Sequence, residues 1–208
     1  MYVHPAFKAD PVAMREHLVR QGFGTLIALD GPRPIAVHAP FLYDPGPEGT
    51  AGTLELHVAR ANPIHAAIAR NPEVLLTCQG PDAYISPDWY VSENQVPTWN
   101  YVAVHAAGRA RPMDPSELRA HVDRLSALFE ERLPKKPWTS DKMDPRRIEA
   151  MLNAIVGIVV TVESLEGQWK LGQHKGRPDH EGAVAGLRAT GAPTAQAVAD
   201  LMDAARRD

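Results

Sequence analysis

The stretch LHVARANP, residues 56–63, places an imidazole, a guanidinium and a carboxamide at the end of an apolar run and the start of a helix. Asn62 followed by Pro63 has the form of an N-cap with proline at the first helical position. Helix N-termini carry unpaired N–H groups and a positive dipole end, so they favour anions. Arg60 beside such a terminus would add a guanidinium fork matched to phosphate oxygens, with His57 nearby. The bland alternative is that Asn62 only caps the helix and Arg60 is a surface charge. A second group is VPTWNYVAVHAAGRA, residues 96–110, where Trp99, Asn100, Tyr101 and His105 crowd a run of period-2 alternation. Such a run is either a strand entering a ligand site or a barrel strand with an aromatic plug. A third is EGQWKLGQH, residues 166–174, where Lys170 offers a point charge for phosphate and Gln173 an amide that can donate and accept. Its alternative is a solvated turn with one buried tryptophan.

Other chemistries find no foothold. The nine histidines include no H-E-x-x-H pattern and no pairing with cysteine at zinc spacing, so no metal site is expected. Neither G-x-G-x-x-G nor a P-loop motif occurs, nor a serine nucleophile elbow. Cys78, the only cysteine, lies in the apolar run EVLLTCQG and reads as a buried, inert thiol. A single cysteine forbids an internal disulfide, which suits a reducing compartment.

The elements that would position these groups are mostly strands. Runs at 24–29, 34–42, 52–58, 73–79, 83–86, 98–108 and 157–165 read as seven short strands, with one short helix, 63 to about 70, among the first six. This pattern predicts an antiparallel barrel or sandwich rather than a doubly wound sheet. Asp10-Pro11, Asp114-Pro115 and Asp144-Pro145 repeat the cap-plus-proline signature. The first predicts a helix ending at Gly22, the second a helix with a capping box through Glu117, and the third a helix that Gly157 could stop. A last helix is expected near 193–206.

Composition sets outer bounds. The 208 residues, 44% hydrophobic and 23% charged, suffice for one domain with a sizeable core, and we expect a single domain over 1–208 with C-terminal helices from about 178. The net charge of −3 supplies no general attraction to phosphate backbones or anionic membranes. The basic clusters PKKP and DPRRIE are small, so direct DNA binding is not expected. The longest apolar stretch, AIVGIVVTV, is too short to span a bilayer, and MYVHPAFKAD lacks the apolar segment of a signal peptide. A cytoplasmic protein without a membrane partner is the expectation.

MYVHPAF, LHVARANP, GPDAYISPDWY, VPTWNYVAVHAAGR and WKLGQ, in that order from Met1 to about Leu187, together resemble the PaiB-type family of FMN-binding negative transcriptional regulators. The resemblance implies a mainly β fold with flanking helices, an antiparallel split β-barrel of the flavin-reductase and pyridoxamine-phosphate-oxidase type, paired as a homodimer. It implies FMN as a small-molecule cofactor, with His57, Arg60 and Asn62 at the phosphate end. Tyr84, Ser86, Trp99 and Asn100 would lie near the ring or the dimer interface, and Lys170 and Gln173 would close the site. The chain departs from the family's W-K-L-S-Q-N at Gly172 and His174, losing a hydroxyl and gaining an imidazole. Haem-binding relatives of the same fold make haem the alternative cofactor, with His174, His65 and His38 as ligands. The functions implied are a flavin-dependent oxidoreductase or a regulator that acts indirectly.

Overall fold

The computed structural model describes residues 1–206. Six strands run β1 (Phe23–Asp30), β2 (Arg33–Asp44), β3 (Thr53–Ala59), β4 (Glu73–Ile85), β5 (Thr98–Pro112) and β6 (Ile155–Lys170). The helices are α1 (Pro11–Gln21), α2 (Ile64–Arg70), α3 (Pro115–Glu130), α4 (Pro145–Asn153), α5 (Arg177–Ala189) and α6 (Pro193–Ala204). The predicted C-terminal helices are present as α5 and α6; residues 207 and 208, within the predicted span, lie outside the described residues.

The strands form a closed barrel in the order β1-β2-β3-β6-β5-β4. The chain divides into two compact units: Leu18–Cys78 with Ala106–Leu165, and Met1–His17 with Gln79–His105 and Glu166–Asp208. In the first unit β1 pairs β2 over eight residues, β2 pairs β3, β1 pairs β4, and β3 pairs β6 from Thr53↔Thr161 to Ala59↔Ile155, all antiparallel. Alternation decides which side chains fill this barrel. Leu54, Leu56 and Val58 of β3 are buried, while Glu55 and His57 between them face outward. Leu26, Phe41, Leu76, Cys78, Val160 and Ile158 complete the interior. Burial pushes the Cys78 thiol up to about 12, so it is the inert residue that its run of apolar neighbours predicts.

The second unit has its own core. Ile85 and Val102 pack with Leu171 and with the α5 and α6 residues Leu187, Val198 and Met202. Trp89, in a 3-10 turn Pro87–Trp89, lies on the glycine face of α5. A Cβ at Gly186 would stand 2.2 Å from its ring. Asp179 of α5 accepts the Val91 and Ser92 amides at 2.8 Å each, and these bonds lower its carboxyl below the usual range.

The cap signatures hold. Asp10, Asp114 and Asp144 each accept amides two and three residues on, and Asp114 with Glu117 forms the full capping box. Three expectations are corrected. The runs 73–79 and 83–86 are one strand, β4, because Gly80-Pro81 is not a turn. Gly80 instead allows close approach, its missing Cβ lying 3.1 Å from the Val102 Cβ. Gly157 does not stop α4, which ends at Asn153; it lies in β6 beneath the Met113 side chain. β6 also runs beyond residue 165, making Trp169 and Lys170 strand residues rather than turn residues.

Among the glycines of the barrel strands, Gly108 has the least room: a Cβ there would fall 2.1 Å from the Thr161 carbonyl oxygen of β6. Backbone cannot yield as a side-chain tip can, so Gly108→Ala should destabilise the protein by about 3 kcal/mol or more, read as a lower urea midpoint.

Candidate functional site

The sequence-predicted site residues fall into two groups, one in each unit. In the barrel unit, Arg60 directly follows β3 and turns its guanidinium onto two carbonyls: Nε donates to Asn153 O at 2.6 Å and Nη2 to Ile155 O at 2.9 Å. Asn62 accepts the Ile64 amide at 3.0 Å through its side-chain oxygen, a turn just ahead of α2; the N-cap itself is Pro63, so the expected Asn62 cap with Pro63 as first helical residue is corrected by one position. Its neighbour His65 places Nε2 2.9 Å from Arg60 O. Arg60 therefore ties the end of β3 to the α4–β6 junction, with Nη1 the nitrogen left outside these two bonds.

His57 faces outward from β3, half-buried, with Nδ1 3.1 Å from Nε2 of His121 on α3. His121 is fully buried, and its Nδ1 lies 3.3 Å from the Glu55 carboxylate, which Arg124 also pairs. The Nδ1–Glu55 approach is too poorly aligned for a strong hydrogen bond, leaving this nitrogen facing the carboxylate electrostatically. Burial, then His57, then Arg124 pull His121 down to about 4, and burial lowers His57. Both rings are thus neutral near pH 7. Sequence alone singled out His57; His121 sits on the apolar face of a helix and carries no local signal.

In the second unit, the aromatic rings of Tyr84 and Trp99 meet edge-to-face at 6.0 Å. Both are unusually open for their type, at 46% and 53% exposure. Thr98 and Trp99 begin β5 and point to its opposite faces. Lys170, at the end of β6, donates from Nζ to Thr98 Oγ1 at 2.5 Å, and burial lowers its ammonium pKa. Gln173 closes its own turn, donating to Trp169 O at 2.5 Å and accepting the Leu171 amide at 2.9 Å. Asn100 is buried, its Nδ2 donating to the Met202 sulfur at 3.3 Å. Ser86 caps the 3-10 turn that carries Trp89, accepting the Asp88 amide. The structure thus brings Tyr84 together with Trp99, and Lys170 with the start of β5, while Asn100, Ser86 and Gln173 hold the framework. Gly172 sits at φ +75°, a conformation in which a serine would be strained.

The histidines named as haem ligands are dispersed. His38 lies 2.8 Å from Thr25 Oγ1, and His174 is exposed with its ring against Phe7. Among the described residues no cluster of three or more His, Cys, Asp or Glu could hold a metal ion, and no helix is long and apolar enough to cross a membrane.

Residues 1–164 match the family described as "Putative FMN-binding domain". The chain belongs to this FMN-binding domain family. It is 33% identical over 204 residues to the protease synthase and sporulation protein PAI 2 of Bacillus subtilis, covering 98% of this chain and 97% of that one. An uncharacterised protein of Emericella nidulans is 28% identical over 79% of each chain. Among solved structures, a conserved hypothetical protein of Mycobacterium tuberculosis aligns with a TM-score of 0.58 at 15% identity, over 83% of this chain and 93% of that one. The FAD and haem binding protein of Mycobacterium smegmatis aligns with a TM-score of 0.55 at 14% identity, over 78% and 73%. At such identities these structures establish the fold, the antiparallel split β-barrel that the family implies.

The residues of the second unit suit the family's cofactor. A flat ring system needs open aromatic surface, which Tyr84 and Trp99 supply, and an anionic tail needs a cation with donors to offer. The Lys170 ammonium has three donors and gives one to Thr98.

The buried imidazole of His121 makes stability depend on pH. In the unfolded chain it takes up a proton near its ordinary value of 6.5, whereas in the fold it stays neutral to about 4. Between these values the unfolded state binds more protons, so stability falls as the pH drops. We expect a loss of up to about 3 kcal/mol from this group between pH 7.5 and 4.5, measured by urea unfolding. His121→Gln should flatten that part of the profile; an equally steep profile in the variant would show that other groups cause it.

Proposed function

We propose that this FMN-binding family member holds FMN non-covalently with the ring system on the Tyr84–Trp99 pair and the phosphate on Lys170. Two observations carry this reading: the exposed, edge-to-face Tyr84–Trp99 pair, and the partly desolvated Lys170 ammonium held on Thr98, the residue before Trp99 at the start of β5. Arg60 supports a phosphate less well, because its fork is fixed on the Asn153 and Ile155 carbonyls. FMN, when bound, supplies hydride or electron transfer; the protein supplies position and solvent exclusion. Trp99 and Tyr84 would cover the apolar ring, and the Thr98 hydroxyl would keep the Lys170 ammonium aimed. No side chain of this unit stands out as a proton donor or acceptor for a substrate.

The open aromatic pair also favours a homodimer, since a second copy would shield rings that are half-exposed in one chain. FMN is favoured over haem because neither His38 nor His65 has a fully free ring, and His174 lies in the open rather than in the apolar pocket that an axial ligand needs. The name of the Bacillus subtilis relative, a protease synthase and sporulation protein, favours a regulatory role. With a net charge of −3, such a role in this cytoplasmic protein would run through a partner or a metabolite rather than through direct DNA contact.

Titration with FMN and with riboflavin, which lacks the phosphate, separates the parts. Trp99→Ala should weaken both at least tenfold, as expected for loss of a stacking surface. Lys170→Met should erase the preference for FMN over riboflavin, while Arg60→Met should keep that preference and lower the urea midpoint. A preference lost in Arg60→Met and kept in Lys170→Met would move the phosphate to Arg60.

A further inference from the structure

The barrel unit contains a cavity of about 200 Å³ that the flavin reading does not use. Val122 of α3, Ile148, Met151 and Leu152 of α4, and Trp138 and Met143 from the segment between the helices give it a mostly apolar wall. Arg119, Asp123 and Ser140 form a hydrogen-bonded group at its lining, Arg119 donating to Asp123 at 2.8 Å and to Ser140 at 3.0 Å. These three groups satisfy one another. Ser126 and His57 are the other polar side chains at the lining, and His57 is the one backed by a polar partner outside it, His121.

The protonation pattern of His57 follows from what stands behind it. The Glu55 carboxylate pairs with Arg124 and faces Nδ1 of His121. A lone pair aimed at a carboxylate is repelled, so His121 carries its hydrogen on Nδ1 and presents a lone pair at Nε2. The 3.1 Å contact then requires His57 to donate from Nδ1. Its Nε2 is left as an acceptor on the cavity side. The chain Glu55–His121–His57 thus converts a surface carboxylate into a fixed hydrogen-bond acceptor in an apolar pocket.

We propose that this cavity binds a small, uncharged aromatic molecule bearing one O–H or N–H donor, which it gives to His57 Nε2. Size supports a compact ring: an apolar cavity of about 150 Å³ holds benzene, and this one is somewhat larger with one polar end. Charge is disfavoured. A cation would meet Arg119 at the lining, and an anion would meet the lone pair of His57 and the Asp123 carboxylate.

The probe pair is phenol and toluene, which match in size and differ in the donor. Binding to the full-length protein is followed by calorimetry, and the nitrogen resonances of labelled histidine are recorded in the same titration. Phenol should bind at least as tightly as toluene despite its greater affinity for water, and should shift the unprotonated nitrogen of His57. In His57→Phe the phenol-to-toluene affinity ratio should drop about tenfold, the worth of one hydrogen bond. Leu152→Trp, which fills the cavity, should abolish binding of both. Absence of binding by either probe would overturn the proposal. So would a histidine spectrum that phenol leaves unchanged, which can be read even where a variant fails to fold.

Discussion

The pairing of β3 with β6 is the constraint on which the rest depends. Seven consecutive residues, from Thr53↔Thr161 to Ala59↔Ile155, close the sheet on itself and leave no open edge. Because strand side chains alternate, this register also fixes what β3 shows to either side. Leu54, Leu56 and Val58 are committed to the interior, so Glu55 and His57 must face α3. A slip of one residue would bury a carboxylate and an imidazole in the barrel. The polar seam Glu55–His121–His57 is therefore a consequence of closure, as is the anchoring of Arg60 just past the end of the same strand.

The second unit obeys a different logic. Its strands are continuations of β4, β5 and β6, and its core is completed by α5 and α6. The glycines of α5 let Trp89 lie against the helix backbone, and Asp179 gathers the amides that follow Tyr90. Much of the conspicuous chemistry in GPDAYISPDWY is accordingly architectural: Ser86 caps a turn, Trp89 packs and Tyr90 lies under the Lys175 ammonium. What this framework leaves uncovered, Tyr84 and Trp99, is what a ring system would need.

Several features were legible in the sequence because their causes are local. Asp-Pro pairs mark helix starts since capping and the proline φ act within one turn, and alternation marks strands since it is a property of single residues in a row. The fusion of two runs into β4 was not legible, because Gly80-Pro81 is a turn signal locally and becomes a strand only when Val102 lies beside it. Likewise Arg60 and Asn62 look like a phosphate cradle until the Asn153 and Ile155 carbonyls, some 93 to 95 residues away in sequence, are seen to engage the guanidinium. His121 and the cavity beside His57 arise wholly from tertiary packing. The family motifs conveyed the fold as a whole, while the separate roles of Asn100, Gln173 and Ser86 as framework groups needed coordinates.

The central claim is that this split barrel carries FMN. The most direct measurement is the ultraviolet–visible spectrum of the purified full-length protein, before and after addition of FMN, with extraction of any bound chromophore. A yellow, fluorescent extract, or saturable uptake of added FMN with quenching of its fluorescence, is the predicted result. A Soret band, or a colourless protein that leaves the fluorescence of added FMN unchanged, would contradict the account.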